Sequence, residues 1–174
     1  MNRVFLILIG LVFLLSSCKD EFIGHSGMGK APIYLPTSDL NDIGSLPAQP
    51  VIQSGPIFLI GDFFYMIETG KGIHIFDISD DQTENSLVFI KIPAVTDFTI
   101  DGNFLYADSW KDLVSLDITD IYNVILLNRT ENVFDPFLFP QLFNGPFECF
   151  DESKGAIIGW EDKALRNVLC HTTN

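Results

Sequence analysis

The feature that most constrains the fold of this chain is an internal repeat of about forty residues. The stretch GDFFYMIETGKGIHIFDISD begins at Gly61, and GNFLYADSWKDLVSLDITD begins at Gly102. The copies are offset by 41 residues (102 − 61), and by 40 (111 − 71) after one gap. They share Gly61/Gly102, Phe63/Phe104, Tyr65/Tyr106, Lys71/Lys111, Asp77/Asp117, Ile78/Ile118 and Asp80/Asp120. This period is typical of β-propeller blades, each of which is a four-stranded antiparallel sheet.

Short apolar runs predict the strands within each copy. The first copy contains PIFLI, FFYMI, GIHIF and LVFIKI, and the second contains DFTI, FLYAD, LVSLD and VILLN. These runs are rich in β-branched and aromatic residues, and Gly61-Asp62 and Asp101-Gly102 provide residues for hairpin turns. Four runs per copy make one blade, so the sequence predicts an all-β fold.

The predicted architecture is a partial β-propeller of about two to three four-stranded antiparallel blades within residues 51–162. The blades are assigned to residues 54–95, 96–134 and, in part, 135–162. The third copy depends on FECFDESKGAIIGWE, whose Lys154-Gly155 aligns with Lys71-Gly72. Residues 163–174 lack alternating aromatic and β-branched residues and are expected to form a tail.

The segments Ile73–Asp80 and Leu113–Asp120, each preceded by a Gly-x-Phe/Leu-Tyr run, resemble LVIVD repeats. This resemblance covers about residues 50–162. It implies a β-propeller of the kind found in secreted and surface bacterial proteins. It carries over no catalytic residues.

The first seventeen residues are typical of a secretory signal peptide. Arg3 is a basic start, and Val4 to Leu15 form twelve apolar residues, too few for a membrane span, which needs about 20. Leu15-Ser16-Ser17-Cys18 resembles the lipobox of bacterial lipoproteins, which implies that Cys18 becomes the acylated N-terminus. The alternative is an ordinary signal peptide with a chance cysteine.

The chain from Ile23 to Pro56 is rich in Gly, Pro, Ser and Asn, and residues 18–50 are expected to form a flexible tether and loops. The tether begins with Lys19-Asp20-Glu21, which resembles the export signal of certain Gram-negative surface lipoproteins. A plain solvated linker is the alternative. The expected location is therefore the cell envelope, as an outer-membrane lipoprotein anchored by lipid and displayed at the surface.

The segment GHSGMGKA at residues 24–31 has the glycine and lysine spacing of a phosphate-binding loop. Its position for a magnesium-binding hydroxyl is Ala31, and Pro32 follows where a helix would begin. No strand is predicted before it. We interpret the match as accidental and expect no nucleotide or other cofactor.

The balance of charge excludes one class of partner. The chain carries 10 basic and 23 acidic side chains, a formal net charge of −13. Removing Arg3 with the signal peptide gives 9 − 23 = −14. Such a surface repels nucleic acid and anionic headgroups, so no nucleic-acid partner is expected.

Few residues suggest a site. Cys149 and Cys170 either form a disulfide or remain as a buried strand thiol and a free tail thiol. Trp110 is the ligand-binding candidate, because its loop faces one end of the blades. Three histidines, His25, His74 and His171, are too scattered to predict a metal site, and His74 is expected to be half-exposed.

These observations predict a non-catalytic cell-envelope lipoprotein that acts as a binding or scaffold module for a protein or glycan. One alternative is a truncated remnant of a longer propeller without independent function, and another is a fragment of a glycan hydrolase that uses paired carboxylates. The segment VFDPFLFPQLFNGPF is either an inter-blade loop or a ligand surface. An incomplete set of blades is expected to leave an apolar blade face exposed and to self-associate through it.

Overall fold

A computed structural model describes residues 24–79 and 85–172. Within these residues the fold is all-β, as predicted, with two short 3₁₀ helices at Thr37–Asn41 and Glu152–Lys154. The strands are β1 (His25–Leu35), β2 (Gly44–Pro47), β3 (Ile57–Ile60), β4 (Phe63–Glu68), β5 (Gly72–Asp77), β6 (Asn85–Lys91), β7 (Phe98–Asp101), β8 (Phe104–Ser109), β9 (Asp112–Asp117), β10 (Ile125–Thr130), β11 (Gly145–Phe147), β12 (Ala156–Val168) and β13 (Cys170–Thr172).

Each of the two clear repeats forms a four-stranded antiparallel meander, as predicted. Sheet I has the order β2-β6-β5-β4-β3, with β2 added at its outer edge, and sheet II has the order β10-β9-β8-β7. Gly61 and Gly102 lie in equivalent hairpin turns with φ of 60° and 58°. The shared glycine is therefore explained by a backbone conformation that L side chains rarely adopt.

The shared aspartates end the third strand of each meander. The Oδ1 atoms of Asp77 and Asp117 accept the backbone N–H of Ser79 and Thr119, each at 2.8 Å. Hydrogen bonds from the side chain and backbone of Ser79 lower the pKa of Asp77, and those from Thr119 lower the pKa of Asp117. Asp77 and Asp117, the first residues of this repeated sequence, therefore cap the turns that follow the strands.

The main hydrophobic core lies between sheets I and II. Ile67, Ile73, Ile75 and Ile90 of sheet I are fully buried against Leu105, Val114 and Leu116 of sheet II. The rings of Phe58 and Phe98 meet edge to face at 4.7 Å and join β3 to β7. Each buried aliphatic side chain contributes about 1.5–3 kcal/mol, so these residues supply most of the attachment between the two repeats.

Sheet III combines strands from both ends of the described chain, in the order β12-β1-β11-β13. Strand β1 pairs antiparallel with β12, from His25 opposite Val168 to Leu35 opposite Ala156. The expected tether at 18–50 and tail at 163–174 are therefore wrong for the residues that form β1, β12 and β13. The partners of β1 and β12 lie more than a hundred residues apart, and β13 pairs with β11 about 25 residues before it, so local alternation does not reveal these pairings.

The same pairing removes two further sequence interpretations. The segment GHSGMGKA runs into β1 as extended backbone, and the Lys30 ammonium lies 2.8 Å from Asp162, so no phosphate loop forms. Residues 135–162 do not form a third meander of their own, because they contribute only β11 and the start of β12. The arrangement of these sheets as blades of a partial propeller stays a prediction.

Sheet III contacts the other two sheets through a small second core. Leu40, Ala94 and Ala156 are buried there together. Gly70, in the β4–β5 turn, has φ of 79°, and a Cβ atom on it would lie 2.1 Å from the carbonyl oxygen of Ile158. Only glycine allows this close approach between sheets I and III.

Candidate functional site

A cavity of about 500 Å³ lies where the proline-broken loop after sheet II enters sheet III. Its lining is mostly aromatic and aliphatic, and three of its side chains are polar. The lining residues are Phe139, Pro140, Gln141, Leu142, Phe143, Phe147, His171 and Thr172. Ligand pockets typically measure about 300–1,000 Å³ and have this mixture of apolar walls and few polar groups. We call this feature the loop cavity.

Strand β13 holds the loop cavity in place. The Thr172 Oγ1 hydroxyl donates to the Phe143 carbonyl at 2.7 Å, and β13 pairs with β11 from Gly145 opposite Thr172 to Phe147 opposite Cys170. Cys149 and Cys170 form a disulfide with an S–S distance of 2.01 Å. Of the two sequence interpretations, the structure adopts the bonded pair, because the β11–β13 pairing brings the cysteines together.

The loop that forms the cavity wall presents apolar side chains to solvent. The large exposed ones are Val133, Phe134, Phe137, Leu138, Phe139 and Leu142. Leu142 has a left-handed φ of 54°, which is uncommon for a branched side chain. Pro136 and Pro140 prevent this segment from hiding its apolar residues in a regular strand.

Two residues of β1 contact the side chains of the cavity lining. The His25 ring stacks against the His171 ring at 4.3 Å between centroids. The Lys30 ammonium lies 5.9 Å from the centroid of the Phe143 ring, within range of a cation–π contact. The start of β1 therefore lies beside the cavity. Sequence spacing gave no sign of this, since the partners are more than a hundred residues apart.

Trp110, the sequence candidate for ligand binding, does not line the loop cavity. It lies in the β8–β9 turn with φ of 62°, half-buried against the Leu40–Ala94–Ala156 core. The Lys111 ammonium covers its ring at 4.3 Å from the centroid. This environment gives Trp110 a packing role between sheets, and its predicted role in ligand binding stays a prediction.

A polar network that the sequence did not reveal lies inside sheet I. The Glu68 carboxylate accepts from Lys71 Nζ at 2.5 Å and from His74 Nε2 at 2.9 Å. Burial alone would raise the Glu68 pKa, but these hydrogen bonds and the Lys71 charge outweigh burial and lower it. His74 is fully buried, so the expected half-exposed histidine is wrong. Because both faces of β5 are covered, the alternation of residues along this strand does not indicate which side chains are buried.

The equivalent turn of sheet II carries a different polar network. Ser109, offset by 41 residues (109 − 68) from Glu68, is also fully buried and donates to the Pro93 carbonyl at 2.8 Å. The Arg129 guanidinium donates to Asp112 at 2.8 Å and to the Leu40 carbonyl at 2.6 Å. Both networks connect a turn to its neighbours, which indicates a structural role.

No group of three or more His, Cys, Asp or Glu side chains arranged to hold a metal ion occurs in residues 24–79 and 85–172. The structure brings His25 and His171 together, whereas the sequence suggested that the histidines are scattered.

Within the described residues, no helix is long and apolar enough to cross a membrane. Cys18 lies outside the described residues, so its acylation stays a prediction.

Comparison with known proteins identifies the repeat. The family model described as the LVIVD repeat matches residues 94–130, which contain all four strands of sheet II. This match confirms the resemblance inferred from Leu113–Asp120 and is consistent with a propeller-type repeat protein. No curated protein and no solved structure gives a significant match to the chain.

Proposed function

We propose that this protein is a non-catalytic, lipid-anchored binding module of the bacterial cell envelope. In this proposal the LVIVD-type repeats form blades of a partial propeller, Cys18 carries the lipid, and the loop cavity makes the functional contact. The LVIVD match over residues 94–130 supports the repeat module. The lipobox-like sequence before Cys18 supports the anchor.

One observation carries the assignment of the binding site. The loop cavity of about 500 Å³ is surrounded by exposed aromatic and aliphatic side chains, although the protein is strongly acidic and has ample polar side chains for its surface. Clustered exposed apolar side chains on a soluble surface mark interaction sites. The cavity wall is fixed by the disulfide and by β13, so the contact surface is preformed.

The anchor is tested by replacing Cys18 with Ala in the full chain. We expect wild-type protein to incorporate labelled palmitate and to stay in membranes after alkaline carbonate extraction, and the variant to do neither. Equal membrane retention without any label would contradict the lipid anchor. Protease added to intact cells should remove the wild-type protein if it is displayed at the surface, and complete protection would place it inside the envelope.

The binding site is tested by photo-crosslinking in living cells. A photoreactive benzoylphenylalanine at position 142 should form adducts, since Leu142 is at the cavity mouth. The matched control carries it at position 127, where Leu127 is also exposed but lies on β10 of sheet II. Equal crosslinking at the two positions would contradict a site at the loop cavity. The adduct class, whether protein, glycan or lipid, identifies the kind of ligand.

A further inference from the structure

We propose that the loop cavity and its exposed neighbours dock onto the surface of the bilayer that holds the lipid anchor. This inference rests on the proposed anchor and names the partner of the proposed binding site. The surface proposed to contact the bilayer, called the anchor-proximal surface, consists of Met28, Phe137, Phe139, Leu142 and His171.

The segment that joins the lipid anchor to β1 is short. Residues 19–24 separate Cys18 from His25, the first residue of β1. Whatever its conformation, a chain of this length spans at most about 25 Å. The His25 ring in turn contacts His171, which lines the loop cavity. An acylated Cys18 therefore keeps the cavity close to the membrane, whereas a tether extending to residue 50 would have allowed any orientation.

Several of the most exposed apolar residues lie beside the loop cavity. Leu142 is 101% exposed, Met28 67% and Phe137 65%. The Phe137 and Phe139 rings contact at 6.2 Å between centroids. Met28 lies on the same face of β1 as Lys30, because the β1–β12 register is regular from Gly27 to Ile33. Since Lys30 reaches the Phe143 ring, Met28 is on the cavity side.

The charge of the protein favours one type of lipid surface over another. The two lysines near the cavity are already paired, Lys30 with Asp162 and Lys163 with Glu148, each at 2.8 Å. The whole chain has a formal net charge of −13, so anionic headgroups would repel it. Docking therefore depends on insertion of apolar side chains into the headgroup region, and the favoured partner is a zwitterionic bilayer.

The first test uses the mature polypeptide from residue 18 with Cys18→Ser, which carries no lipid. We expect it to co-sediment with vesicles of phosphatidylethanolamine and phosphatidylcholine, and Leu142→Asp to weaken this partitioning by about tenfold or more. Leu127→Asp is the matched control and should partition like the parent. Raising NaCl from about 0.1 M to about 1 M should not weaken partitioning. No partitioning, or equal loss in the two variants, would overturn the proposal.

The second test uses the acylated protein in vesicles that contain brominated phosphatidylcholine. A Leu142→Trp reporter should be quenched and blue-shifted, and Leu127→Trp should show only the background of the native tryptophans. Label on Cys18 without quenching at 142 would overturn the docking and leave the anchor intact. Absence of the label would overturn both. Capture of a peptide or glycan that depends on Leu142, with no vesicle partitioning, would also overturn the bilayer as partner.

Discussion

Breaking the Cys149–Cys170 disulfide should destabilise the protein by about 3 kcal/mol, mainly in sheet III. The cysteines are 21 residues apart. Closing a loop of this size in the unfolded chain removes about 11 cal/mol/K of entropy, which is about 3.3 kcal/mol at 25 °C. With a urea dependence of about 1–3 kcal/mol/M, the unfolding midpoint should fall by about 1–3 M.

The assay compares oxidised protein with a Cys149→Ser/Cys170→Ser double variant, both with Cys18→Ser so that no other thiol is present. Circular dichroism reports the global midpoint, and hydrogen exchange reports where protection is lost. We expect faster exchange in β13 and at the cavity wall first, because β13 is held by only three residue pairs with β11. Free energies of unfolding that agree within about 0.5 kcal/mol would refute the reasoning, as would two alkylatable thiols in the oxidised protein.

Three further predictions concern buried positions. Glu68→Gln should cost about 1–3 kcal/mol at neutral pH. Because the folded pKa of Glu68 is lowered from its usual value of 4.5, its contribution is present above that value and is lost as the pH falls through the lower folded pKa, so the urea stabilities of the two proteins should converge over that range. Leu105→Ala should cost about 2–5 kcal/mol in urea unfolding, whereas the exposed Leu127→Ala should change stability by less than about 0.5 kcal/mol, and similar losses would contradict the core assignment. Gly70→Ala should lower the melting temperature more than Gly102→Ala. Both glycines have positive φ, but only at Gly70 would the added Cβ lie 2.1 Å from a carbonyl oxygen. Equal melting temperatures of the two variants would refute the steric argument.

The two meanders could be predicted from the sequence because their contacts are local. The apolar runs, the turn glycines at 61 and 102, and the capping aspartates at 77 and 117 all act within one repeat. Each strand pairs mostly with its sequence neighbour, so the order of strands follows the order of runs. The period of about forty residues then fixed how many strands belong together.

Sheet III and the loop cavity could not be predicted because they depend on distant partners. The run HSGMGKAPIYL contains two glycines and a proline and has a weak strand pattern, yet its pairing with β12 is the longest among the residues that the structure describes. The cavity combines residues near 140 with His171 and Thr172. Only the cysteine pair hinted at this closure, and the sequence alone left that pair open.

The buried polar residues were missed for a different reason. His74 and Glu68 lie on strands whose two faces are both covered, so alternation carries no information about exposure. The Glu68–His74 pairing also joins two strands across a hairpin, at a hydrogen-bond distance of 2.9 Å. A sequence reading based on hydropathy treats each polar side chain as solvent-facing and cannot recognise such internal compensation.

The pairing of β1 with β12 has a consequence for how the protein matures. Contacts such as Asp151 with Tyr34 and Gly24 with Asn167 span 117 and 143 residues. Sheets I and II can form as soon as their own segments have emerged, but β1 must wait until β12, which ends at Val168, has emerged as well. A chain held by its lipid during this interval would expose an unpaired strand beside the membrane. Formation of the Cys149–Cys170 disulfide would then mark the time at which the last sheet closes.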